Sequence, residues 1–138
     1  MLKVNKLTDY SLVILSQLGQ HKGYMANAMQ LSEATGINSP TVSKILKILQ
    51  PRGLVISHRG ANGGYELAKT IDAISVAEVI QAMEGPMAVT QCNIGPGHCE
   101  QESSCQMRAP WHKINQVIID LLSNISLADM LQPEKGKF

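Results

Sequence analysis

Three cysteines, Cys92, Cys99 and Cys105, are the only thiols of this chain, and they fall in one short segment with the spacing Cys-x6-Cys-x5-Cys. Gly95-Pro96-Gly97 separates the first two, and Ser103-Ser104 precedes the third. A segment so rich in turn formers lacks the helical or strand period that buries thiols as ordinary core residues. An odd number of thiols cannot close entirely into internal disulfides. These sulfurs are therefore free, bridged between chains, or ligands of a metal.

The elements that must position them are legible on either side. Leu7, Tyr10, Ile14 and Leu18 recur at helical spacing, so a first helix is expected over residues 8–18 with Thr8 as its cap. Asn27, with Gln30 three residues on, reads as a capping box that opens a second helix through Thr35. Gly36 then supplies the tight turn of a helix-turn-helix. Ser39-Pro40 opens a third helix, with Ser39 as cap and Pro40 at the first helical position. Val42, Ile45, Leu46 and Leu49 make its buried stripe. Pro40, Lys44 and Lys47 point the other way, with Thr41 and Ser43 on the flanks. Hydroxyls and lysines on that face suit phosphate and base-edge contacts in a major groove, although an ordinary solvated face fits the same pattern.

The next residues favour the DNA reading. Residues 53–59 and 64–68 read as short strands around Gly60-Ala61-Asn62-Gly63, with Asn62-Gly63 as the tight-turn signal. A hairpin directly after a helix-turn-helix is a wing. Arg59 near its tip is placed to enter a narrow, A·T-rich minor groove. Charge divides the same way: residues 1–69 carry eight Lys/Arg against three Asp/Glu, whereas residues 70–138 carry four against eight. A basic half beside an acidic half points to a polyanion partner for the first alone.

Downstream, Ser75 and Glu78 form a capping-box pattern ahead of Val76, Val79, Ile80 and Met83, and Gly85-Pro86 ends that helix. The cysteine loop is expected over about residues 90–108. From Pro110 on, Trp111, Ile114, Ile118, Leu121 and Ile125 repeat in alternating steps of three and four, a short heptad-like seam. Val117, Ile119 and Leu122 broaden it beyond what a small domain readily covers. A dimerisation helix over about residues 110–125 is expected, because a two-fold dimer also sets two recognition helices on a palindromic site. Ser126–Leu131 is expected to form a last short turn or helix, followed by a loose Lys-rich tail. The expected architecture is mainly α with a small β-hairpin wing. Residues 1–70 form a winged helix-turn-helix, and residues 71–138 hold the connecting helix, the cysteine loop and the long C-terminal dimerisation helix, in one compact unit. With no membrane-length apolar run and no secretion-signal pattern, a cytoplasmic, reducing setting is expected, which favours thiol or metal chemistry over structural disulfides.

Leu7-Thr-Asp-Tyr10, the wing string Arg59-Gly-Ala-Asn-Gly-Gly-Tyr65, Ile74-Ser-Val-Ala-Glu-Val-Ile80 and the three-cysteine loop resemble the IscR/NsrR family of bacterial winged-helix regulators. The resemblance spans about residues 1–131. Ser39-Pro-Thr-Val-Ser-Lys44, Glu84-Gly-Pro86 and Glu102-Ser-Ser-Cys105 followed by Trp111 look most like regulators of the SUF iron–sulfur assembly operon. The resemblance implies a homodimer whose three cysteines hold a [2Fe-2S] or [4Fe-4S] cluster, with affinity for double-stranded DNA that follows the cluster's state. Thiolates are the usual ligands of such clusters, and a glycine-rich loop lets three of them converge.

The fourth ligand is where this chain departs from part of the family. IscR-like members place a histidine where Arg108 stands here, whereas NsrR-like members use an aspartate at the position of Asp9. In a dimer Asp9 could come from the opposite protomer; a first-turn acid favoured by the helix dipole is the equal alternative. His98 is a weaker candidate. Two rivals stand beside the cluster reading, a Cys₃His zinc site that includes His98 and a bare thiol switch; a nitric-oxide-sensing repressor of the same family and a protein–protein module on the same scaffold are the alternative functions. An enzyme is not expected, because no phosphate-binding glycine loop, nucleophile elbow or acid–base pair is present.

Overall fold

The computed structural model describes residues 2–132. Three helices come first: α1 (Lys6–Leu18), α2 (Ala28–Thr35) and α3 (Ser39–Leu49). The cap of α1 is Asn5, whose side chain accepts from the Thr8 N–H, so the helix begins earlier than expected and Thr8 lies buried inside it. The capping box of α2 is present as read, with Asn27 and Gln30 bonded reciprocally. Gly36 ends α2 at φ 78°, the left-handed turn that a side chain would strain. The cap of α3 is Asn38 rather than Ser39: its side chain accepts from the Thr41 N–H, and Ser39 and Pro40 both lie within the first turn. Asparagine is as good a cap as serine, and here it stands one residue closer to the turn.

Strands β1 (Val55–His58) and β2 (Gly64–Leu67) pair antiparallel, with Val55 opposite Leu67 and His58 opposite Gly64. Asn62-Gly63 does not form a two-residue turn. The connection runs from Arg59 to Gly63, with Gly60 at φ 110° and its carbonyl accepting from the Gly63 N–H. Tyr65 also bridges to Ala26, which anchors the hairpin to the segment before α2.

α4 (Val76–Glu84) is capped by Ser75, but only half of the expected box forms, because the Glu78 carboxylate turns to Lys69. A single helical turn, α5 (Gln91–Ile94), opens the cysteine loop. α6 (Arg108–Ser123) starts two residues before Pro110, and the short α7 (Leu127–Leu131) follows with a reciprocal Ser126–Asp129 capping box. Ile125, expected on the long helix, lies past its cap Asn124, and its carbonyl accepts from the Val76 N–H. The Leu127 N–H reaches back to the Ile74 carbonyl, so the chain that leaves at Val76 is closed again at Ile125 by a two-bond bridge. The Lys-rich tail falls outside the described residues.

The core joins both halves. Ile14, Leu15 and Leu18 of α1 pack with Val42, Ile45, Leu46 and Leu49 of α3, and Val79 of α4 and Leu127 of α7 belong to the same buried cluster. Each such Leu or Ile contributes about 1.5–3 kcal/mol by leaving water. The apolar stripe of α3 is thereby committed inward, which leaves its lysine face outward.

Candidate functional site

Two sets of residues stand out. The first is on α3 and the wing. Lys44, Lys47 and Pro40 are exposed, while Ser39, Thr41 and Ser43 are half-buried on the flanks. No acidic residue lies in the first turn of α3. Among the described residues the ion pairs are His58–Glu66, Lys69–Glu78 and Arg108–Glu102, so Lys44, Lys47 and the exposed Arg59 have no internal carboxylate partner. Unneutralised cations on one face are what a phosphate backbone requires.

Sequence reasoning missed two residues that shape this face. The Gln50 side chain, just past α3, donates to Ser57 Oγ on β1 at 2.9 Å and ties the end of the helix to the wing. His58 Nε2 lies 2.6 Å from Glu66 Oε1 across the hairpin, beside Arg59. Neither pair has a sequence signature, because the first depends on how β1 lies against the end of α3 and the second on the register of the hairpin. Arg52 adds a further exposed cation in the turn after α3.

The second set is the cysteine loop. Cys92 sits on α5 and is half-buried, as is Cys99; Cys105 is exposed, and all three are free thiols. Thr90 Oγ1 lies 3.0 Å from Cys92 Sγ. Asn93 donates to the same hydroxyl at 2.8 Å and to the Trp111 carbonyl on α6 at 3.4 Å. Asn115, the one buried residue of α6, accepts from the Val89 N–H at 2.9 Å and donates to the Met87 carbonyl at 3.1 Å. The approach to Cys92 is therefore fastened to α6 at two heights.

The expected ligands are not drawn into one shell within the single chain. Among the described residues no group of three or more His, Cys, Asp or Glu could hold a metal ion. Asp9 is exposed on the first turn of α1, and His98 is exposed in the loop. Arg108, at the position of the IscR-like histidine, pairs with Glu102 at 3.1 Å. On α6, Trp111, Ile114, Val117 and Leu121 are exposed, Leu121 by 60%, and Ile118 is half-buried. Apart from the half-buried Ile118, the expected seam thus lies uncovered along the helix, and Ile125 has left it.

A helix-turn-helix with a wing, followed by a helix with an uncovered apolar face, defines a winged-helix DNA-binding transcriptional regulator. The family model for Rrf2, an iron-dependent transcriptional regulator, matches residues 4–133, and the chain belongs to that family. It is 34% identical over 118 residues to the HTH-type transcriptional regulator IscR of Erwinia tasmaniensis, a match covering 86% of this chain and 70% of that protein. IscR of Vibrio cholerae is 35% identical over 101 residues, covering 73% of this chain and only 58% of its relative. Among solved structures, T. potens IscR superposes with a TM-score of 0.72 at 28% identity, covering 97% of this chain and 89% of that one. The global cysteine regulator CymR of B. subtilis shares the fold, with a TM-score of 0.71 at 24% identity over 94% and 96% of the two chains. The protein is an IscR-like DNA-binding regulator and not an enzyme. No helix among the described residues is long and apolar enough to cross a membrane.

Proposed function

We propose that this regulator binds a palindromic operator as a homodimer and adjusts its affinity through an iron–sulfur cluster, [2Fe-2S] or [4Fe-4S], held by Cys92, Cys99 and Cys105. Residues 1–70 read the DNA, with Lys44 and Lys47 on phosphates, Ser39, Pro40, Thr41 and Ser43 along the groove face, and Arg59 in the minor groove. Residues 71–138 sense and pair. Trp111, Ile114, Ile118 and Leu121 form the seam between protomers, flanked by Ile125. The target genes are those of iron–sulfur assembly, of the SUF type.

The observation that carries this reading is the attachment of the thiol loop to the same helix that presents the uncovered apolar face. Three free thiols in a loop of which two are half-buried form a donor set suited to a cluster. Asp9 of the opposite protomer supplies the fourth ligand, an oxygen donor more easily displaced than a thiolate. When bound, the cluster supplies a group that oxidants, nitric oxide or iron shortage can destroy. The chain's own residues do the rest: Thr90 and Asn93 hold Cys92, and Asn115 links its approach to α6.

Purification without oxygen, followed by visible spectroscopy, metal analysis and DNA binding of loaded and cluster-free protein, tests the reading. Visible absorbance with iron and sulfide, lost in Cys92→Ala, Cys99→Ala and Cys105→Ala with fold and dimer intact, supports it. A colourless protein with stoichiometric zinc rejects it. A metal-free protein whose DNA affinity changes on thiol oxidation leaves the thiol-switch alternative, to which the exposed Cys105 is suited.

A further inference from the structure

Between residues 90 and 110 no residue is buried, so apolar packing cannot be what shapes the cysteine loop. One side chain takes over that task. Glu102 stands midway between Cys99 and Cys105, and its side chain is only 21% exposed. One carboxylate oxygen accepts from the Gly97 N–H at 2.8 Å, and the other faces Arg108 Nη2 at 3.1 Å. The Glu102 N–H in turn donates to the Cys99 carbonyl at 3.2 Å, and the Ser104 N–H to the Gln101 carbonyl at 3.1 Å.

We propose that Glu102 is a positioning residue, a clasp that fixes the turn carrying Cys99 and Cys105 and fastens it to Arg108 at the head of α6 before anything binds. An exposed ion pair alone does little. Here the carboxylate is also held by a backbone donor, and charge-assisted bonds are roughly twice as strong as neutral ones. Both oxygens are engaged, so Glu102 cannot ligate a metal without opening the clasp, and Arg108 is engaged with it. The clasp belongs to the cluster-free protein; only its effect on cluster lifetime rests on the function proposed above.

The test uses full-length Glu102→Ala, Glu102→Gln, Arg108→Ala and Arg108→Lys. In reduced, cluster-free protein, alkylation of each cysteine by iodoacetamide is timed by peptide mass spectrometry. Cys92, held separately by Thr90 and α6, is the internal reference. Glu102→Ala should speed modification of Cys99 by about three- to tenfold, the effect of losing one charge-assisted contact pair, with Cys92 unchanged. Arg108→Lys should stay near the parent, and Arg108→Ala should fall between the parent and Glu102→Ala. In anaerobically reconstituted protein, Glu102→Ala should keep the parent's visible spectrum but lose it faster to a chelator. Unchanged Cys99 reactivity would overturn the clasp, as would an equal acceleration of all three cysteines, which means general loosening. An altered visible spectrum would make Glu102 a ligand and overturn its positioning role. If even the parent takes up no cluster, the cluster reading fails while the alkylation rates still decide the clasp.

Discussion

Replacing Asn115 with alanine removes the side chain that holds the approach to Cys92 against α6. Two bonds go at once, the acceptor for the Val89 N–H and the donor to the Met87 carbonyl. Both backbone groups belong to half-buried residues that water can reach in part. Each therefore loses nearer 1 than 3 kcal/mol, about 2 kcal/mol together. Alanine returns about 0.5 kcal/mol through its better helix propensity, leaving a net loss of about 1.5 kcal/mol. With a urea slope of about 2 kcal/mol per molar, the unfolding midpoint should fall by about 0.7 M. The measurement is equilibrium urea unfolding by circular dichroism at one fixed protein concentration, since self-association makes a midpoint depend on concentration. Amide exchange at Val89, which reports the tether directly, should quicken by about tenfold. Asn115→Asp keeps the acceptor and loses the donor, so it should fall between the two. A midpoint within about 0.2 M of the parent, with Val89 exchange unchanged, would refute the tether.

Three further outcomes are expected. Lys44→Ala or Lys47→Ala should weaken operator binding and flatten the log–log salt dependence by about one unit per lost phosphate contact, read by fluorescence anisotropy across a salt series; an unchanged slope removes that lysine from the interface. Leu121→Glu should raise the dimer dissociation constant by at least about tenfold in sedimentation analysis, with the far-ultraviolet spectrum intact; an unchanged dimer would place the contact elsewhere. Asp9→Ala should leave the three thiolates loaded but shift the visible spectrum and shorten cluster lifetime, and a spectrum and lifetime equal to the parent's would exclude Asp9 as a ligand.

The helices and their order were legible because periodicity and caps act locally. Val42, Ile45, Leu46 and Leu49 announce the buried face of α3 by spacing alone, and all four are buried. Local chemistry misled where two residues competed for one role. Asn38 took the cap from Ser39, and the turn read at Asn62-Gly63 is built with its positive φ at Gly60 instead. Ile125 continued the heptad arithmetic, but the pairing of its carbonyl with Val76 ended the helix first. The fastenings of the cysteine loop had no signature at all. Glu102 with Arg108, and Asn115 with residues 87–89, meet only because the loop folds back on α6. The thiols themselves were obvious from spacing, whereas the side chains that orient them belong to tertiary structure.

The two-bond bridge that joins Ile74 and Val76 to Ile125 and Leu127 gives the cysteine-bearing segment a narrow neck. α4 stays in the core through Val79 and Ala82, but from Gly85 to Asn124 only Asn115 is buried, so the length of that excursion bears little on the packing of α1 and α3. Lengthening such a closed loop by a fifth costs about 0.2 kcal/mol in closure entropy, far less than one misplaced core side chain. The cysteine loop and the length of α6 can thus vary while the helix-turn-helix below the neck keeps its shape. The fold pairs a fixed core with a tethered excursion whose length it does not dictate.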